Sequence, residues 1–303
     1  MSFNTDAQLD TSQVTGGGGG GIRGGAIMGG GAGGIILLIL SLLFGQNLTG
    51  GSGANPFDPG QVTQQGQDEL QGKAISECKT GADANENATC RVVGTVNSVQ
   101  DYWTDALPAD INRQYRKSTA VIYSGQTQSA CGTASNATGP FYCPSDERVY
   151  IDASFFDELT SRFGADDGAL AQEYVVAHEY GHHVENILGI LAKGQDGETG
   201  PLSGGVRIEL MADCFAGVWA HHASTTEDEN GVTLLKPLRD DDIKSALSAA
   251  AAVGDDHIQQ SQGGGVNQDS WTHGSSASRQ KWFLTGYKSG NLNSCDTFAT
   301  DDL

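Results

Sequence analysis

The chain has 303 residues, enough for one domain with a sizeable core and appendages. Its net charge of −20 excludes a phosphate-binding face for nucleic acid and any electrostatic attraction to anionic lipid. With 38% hydrophobic and 18% charged residues the composition is globular, and much of the excess among its 43 glycines falls before residue 55.

Residues 1–23 are polar and glycine-rich, ending in TGGGGGGIR, which predicts a disordered tail. Gly24–Phe44 carries no charge, and its second half, IILLILSLLF, is strongly apolar. That uncharged length is about the 20 residues a helix needs to cross hydrocarbon, so the segment reads as a transmembrane anchor. Two readings compete. A cleaved signal peptide wants a small-residue cleavage pattern that Gly45–Gly51 does not offer, and a buried core helix does not suit so many glycines. Arg23 precedes the span and the other nearby charges are acidic, so the positive-inside rule predicts a single-pass cell-membrane protein. Its N-terminus would be cytoplasmic and everything after residue 45 extracytoplasmic. The GxxxG spacings Gly25/Gly29 and Gly30/Gly34 offer a homodimer face, although a run this dense in glycine produces them by chance. Gly45–Gly66 reads as a flexible tether.

A single domain follows over residues 67–303. A helix is expected near Val93–Leu107, then strands in STAVIYSG and ERVYID, where β-branched and aromatic residues concentrate. Between them lies a Cys131–Cys143 loop. ASFFDELTSRF predicts a short helix, and longer ones are expected over Ala169–Leu191, Val206–Ala223, Asp240–Val253 and Ser276–Lys288. A Gly/Gln/Ser-rich loop follows Val253. The six cysteines show no CxxC spacing, so a structural zinc cluster is not expected. An even, scattered set suits disulfides in an oxidising compartment. Short separations favour Cys78–Cys90 and Cys131–Cys143, which leaves Cys214–Cys295 by elimination.

The chemistry is carried by AQEYVVAHEYGHHVENIL, which contains HExxH as His178-Glu179-Tyr180-Gly181-His182. On an α-helix, positions i and i+4 share one face a turn apart, so two imidazoles can reach one zinc ion. Glu179 can act on a water at that metal without itself being a ligand. Downstream, RIELMADCFAGVWA places Glu209 and Asp213 four apart on another predicted helix. Glu209 can complete a His2Glu site with a fourth position open to water, and Asp213 can orient a ligand histidine through its other ring nitrogen. The remaining histidines are read otherwise: His183, His221 and His222 as packing or surface residues, and His257 as a local hydrogen-bond partner. His273, in a Gly/Ser-rich loop, is a candidate oxyanion donor, as are Tyr180 and Arg279.

HEYGHHVE, ELMADCFAGVW, GDDHIQ and THGSSASRQKWFLTGYKSG together resemble the bacterial neutral zinc metallopeptidase family. The likeness covers roughly residues 67–300 and the anchor layout. It implies a gluzincin-type, zincin-like α+β fold, with one Zn2+ held by His178, His182 and Glu209, and Glu179 as base. It also implies a small sheet whose edge strand binds an extended peptide, with ERVYID the candidate. The function that follows is zinc-dependent hydrolysis of peptide bonds in extracytoplasmic proteins or peptides. A catalytically latent zinc-binding scaffold at the membrane surface is the alternative, and water or a protein side chain at the fourth metal position discriminates the two.

Overall fold

In the computed structural model the described residues are 2–17, 64–135, 138–263 and 265–303. The expected anchor over 24–44, residues 18–23 of the tail and residues 45–63 of the tether lie outside them. No described helix is long and apolar enough to cross a membrane.

The architecture is α+β. One sheet has the order β1-β2-β6-β5, formed by β1 (Val14–Gly16), β2 (Ala120–Tyr123), β5 (Phe141–Cys143) and β6 (Arg148–Asp152). β1, β2 and β6 run parallel, and β5 is antiparallel to β6 with Phe141 opposite Tyr150. All four residues of β2 are buried, as a strand covered on both faces requires, and AVIY accordingly shows no polar alternation. β3 (Gln126–Ser129) and β4 (Gly132–Ser135) form a separate hairpin inside what reads from sequence as a loop. ERVYID is corrected from edge to interior strand, since β6 is flanked by β2 and β5. The edge of the sheet on that side is β5.

The helices are α1 (Gln64–Glu77), α2 (Gly81–Glu86), α3 (Ala88–Ile111), α4 (Phe155–Ser161), α5 (Ala169–Leu188), α6 (Gly204–His222), α7 (Asp240–Ala252), α8 (Asp255–Ser261) and α9 (Ser276–Ser289). α1 takes up residues 64–66, so the tether ends before them, and α8 occupies the start of the expected post-Val253 loop. Local chemistry sets the ends of the long helices. Asn87 caps α3 by accepting from the Cys90 amide, Ser203 caps α6 through the Val206 amide, and Gly189 closes α5 in the left-handed region at φ 72°. α6 and α9 cross almost backbone to backbone. A Cβ on Gly286 would stand 1.9 Å from the Cys214 carbonyl oxygen, and one on Gly217 2.0 Å from that of Phe283. Disulfides join Cys78–Cys90, Cys131–Cys143 and Cys214–Cys295, the pairing expected from the separations. The last ties the C-terminal turn to α6.

The expectation of a disordered tail over 1–23 is corrected for residues 2–17. Phe3, Ala7 and Val14 are buried, and β1 extends the main sheet. Gly94 makes room for the Phe3 ring: a Cβ there would meet it at 2.5 Å. Composition predicts disorder because the stretch has few apolar residues, but those few enter a groove built by residues far away in sequence. Phe3→Ala is expected to destabilise the protein by about 3–5 kcal/mol, the cost of truncating a buried aromatic, read as a lower denaturant midpoint at unchanged slope. An unaltered midpoint would show that the segment adds nothing to the core.

Candidate metal centre

α5 carries the HExxH residues on its buried length and crosses α6 at the site itself. Gly181 permits the approach, because a Cβ there would lie 2.9 Å from the Ala212 Cα. The crossing brings Glu209 opposite the two imidazoles. One ligand atom from each of His178, His182 and Glu209 falls within 4.8 Å of the others. His178 Nε2 is 3.3 Å from Glu209 Oε2, and His182 Nε2 is 3.6 Å from Oε1. Ligand atoms about 2.0–2.1 Å from a tetrahedral zinc stand about 3.3 Å apart, so the two imidazole–carboxylate separations fit the ion.

Each histidine is oriented through its other nitrogen. His178 Nδ1 donates to Asp213 Oδ1 at 2.8 Å, and His182 Nδ1 lies 2.8 Å from Glu185 Oε2. The ionised Asp213 can only accept, so His178 Nδ1 carries the proton and its Nε2 lone pair is left for a metal, while Glu185 fixes the His182 ring with its Nε2 toward Glu209. Asp213 is itself fixed by Arg279, whose Nε donates to Oδ2 at 2.8 Å and whose Nη2 donates to Oδ1 at 3.0 Å, and by the Tyr174 hydroxyl. Asp213 and Arg279 are both buried.

The electrostatics suit a cation. Glu179, Glu185, Glu209 and Asp213 surround two imidazoles, with Arg279 as their buried positive counterpart. Burial would raise the Glu209 carboxyl, but His182, His273 and His178 hold it well below the carboxylate range. Burial likewise works against Asp213, which the Arg279 charge and His178 keep ionised. Burial lowers His178, yet Asp213 and Glu209 outweigh it and push it up to about 10 without a cation. Metal binding therefore displaces a proton. Burial raises Glu179 despite both imidazoles, and raises Glu185 well above its ordinary value.

The ligand trio faces a cavity of about 100 Å³ also lined by Glu179, His273, Arg279 and the edge-strand residues Phe141 and Tyr142. Phe155, Phe163, Val175, Val253 and Ile258 give it an apolar wall. His273 is held by Asp255: Oδ1 lies 3.2 Å from its Nδ1, while Oδ2 accepts the backbone N–H of Thr272, His273 and Gly274. Burial lowers His273, but Glu209 and Asp255 leave it raised.

Tyr180 is corrected as an oxyanion candidate, since it is fully buried and its hydroxyl donates to the Ser118 carbonyl at 3.1 Å. Arg279 lines the cavity but is committed to Asp213. His183 is buried between the Tyr142 hydroxyl and the Arg116 carbonyl. His221 and His222 donate to the carbonyls of Tyr287 and Gly290, and His257 to that of Phe163. Sequence reasoning missed Glu185, Asp255, Gly181 and the apolar wall. The signal for Glu185 stood in HHVE, where i+3 from His182 lies on the same face.

The chain is 53% identical over its full length to Uncharacterized protein Rv2575 of Mycobacterium tuberculosis (strain ATCC 25618 / H37Rv), and to Uncharacterized protein Mb2605 of Mycobacterium bovis, each covered completely. Uncharacterized protein YpfJ of Escherichia coli (strain K12) is 41% identical over 222 residues, which is 71% of this chain and 73% of YpfJ. No solved structure matches the chain. A family model described as "Putative neutral zinc metallopeptidase" matches residues 2–298, and the chain belongs to that family.

Proposed function

We propose that the protein hydrolyses peptide bonds with one zinc ion per chain, held by His178, His182 and Glu209, in an extracytoplasmic compartment. The observation that carries the reading is the convergence of the three donors within 4.8 Å beside Glu179 at an open cleft. Among the described residues that cluster has three side chains and no fourth, which favours a hydrolase over a latent scaffold. Three disulfides favour the oxidising compartment.

When bound there, zinc supplies Lewis acidity that activates water and polarises a carbonyl. The protein does the rest. Glu179 takes a proton from the attacking water and delivers it to the departing amine. Its burial raises the carboxyl above its ordinary value, the direction that makes it a stronger base. His273, held through Nδ1 by Asp255, donates from its other ring nitrogen to the carbonyl oxygen as charge builds on it. The edge of β5, unpaired among the described residues, offers main-chain partners to an extended peptide. The apolar wall takes a bulky apolar side chain next to the scissile bond.

Elemental analysis after dialysis tests the metal, with one zinc per chain expected and none overturning the reading. A proteomic cleavage screen tests the substrate class, with Leu- or Phe-type residues expected beside the cut. Filling the wall with Val175→Phe is expected to lower kcat/KM for such peptides about 10–100-fold relative to alanine-bearing ones, because a pocket contact of this size carries about 1–3 kcal/mol. Equal losses for both peptides would remove the wall from specificity.

A further inference from the structure

The segment 2–17 is not laid on the surface; side chains of the domain hold it. Asn85 grips Phe3 from both sides, with the Phe3 amide donating to Oδ1 at 2.8 Å and Nδ2 donating to the Phe3 carbonyl at 3.0 Å. Asn97, only 6% exposed, does the same for Asp10: the Asp10 amide donates to Oδ1 at 2.8 Å and Nδ2 donates to the Asp10 carbonyl at 2.9 Å. Fully buried Gln100 donates to Gln13 at 2.7 Å. The segment thus supplies the hydrogen-bond partners of Asn85, Asn97 and Gln100. β1 then pairs in parallel with β2 as the outer strand of the sheet.

This packing fixes where the segment sits relative to a bilayer. A chain that crosses once between residues 17 and 64 leaves its flanks on opposite sides, and here the flanks share one core. Two crossings need about 40 largely apolar residues. The sequence from 18 to 63 holds a single uncharged run, of which only IILLILSLLF is strongly apolar, about half a crossing. We propose that residues 2–17 and the metal-bearing domain occupy one compartment, with no net membrane crossing between them. This replaces the expected orientation, with the N-terminus inside and the domain outside.

The test uses the full-length chain in bacterial spheroplasts. All six native cysteines are disulfide-bonded, so an introduced cysteine is the one free thiol. Asp6→Cys and Asp240→Cys, both at exposed positions, are made separately and treated with a membrane-impermeant maleimide before and after detergent. Labelling of the two to the same extent, within twofold, is the expected result. Equal labelling of intact spheroplasts places both outside. Equal protection until detergent also supports the proposal, while removing the extracytoplasmic setting. Labelling of Asp240→Cys with protection of Asp6→Cys overturns it.

Discussion

Glu179→Gln is expected to keep zinc at one per chain and to lower kcat for peptide cleavage by at least about 10²–10⁴-fold, the contribution of a placed general base. Glu179 stands outside the ligand trio, and glutamine has the same length and fits the same buried position, so neither the metal nor the helix loses a contact it needs. What is lost is the proton acceptor. Gln can hydrogen-bond to water but cannot take its proton, and it cannot return one to the amine. kcat with a peptide from the cleavage screen, together with zinc content and the thermal midpoint, separates the cases. Lost cleavage with normal zinc and midpoint assigns the base to Glu179. Retained cleavage removes it from the mechanism, and loss of zinc as well would make Glu179 part of the site's architecture.

How much of this was legible in the sequence depends on the range of the interactions. His178, Glu179 and His182 were readable because helical periodicity alone places them, and Glu209 and Asp213 because the same i, i+4 rule applied to a second helix. The Cys78–Cys90 and Cys131–Cys143 pairs were readable for a similar reason, each separated by 12 residues. The N-terminal segment was not. Phe3, Ala7 and Val14 are too few among polar neighbours to mark a core segment, and their stability comes from Gly94, Asn85, Asn97 and Gln100, residues with no local signature. The β3–β4 hairpin is built from QTQS and GTAS, largely polar sequences that pair across a turn whose Cys131 is tied by a disulfide to Cys143 of β5. ERVYID did carry a usable signal. Four of the five residues of RVYID are buried, and a strand without alternation belongs in the interior of a sheet. Asp255 was hidden because its partners are the backbone amides of a loop 17–19 residues away, which no spacing rule addresses.

Asp213→Ala is expected to weaken zinc binding by about 10–100-fold and, separately, to cost the metal-free fold about 3–5 kcal/mol. The two effects have different origins at one carboxylate. Oδ1 sets the His178 tautomer and points its Nε2 lone pair at the metal position, so its removal frees the ring to rotate and to carry its proton on the wrong nitrogen. Oδ2 and Oδ1 together hold Arg279, which is 3% exposed and would be left as a buried charge whose nearest remaining carboxylate is Glu209 at 3.9 Å. Arg279 would then be drawn toward a metal ligand, compounding the loss of affinity. Asp213→Asn separates the effects: its carbonyl oxygen can still accept from His178, so zinc affinity is expected to fall less than in the alanine variant, while the lost charge still destabilises the apo fold. Competition with a chelator measures the first and denaturant unfolding in excess chelator the second. Wild-type zinc affinity in Asp213→Ala would show that His178 is held without this carboxylate, and the orientation argument for the whole centre would fail with it.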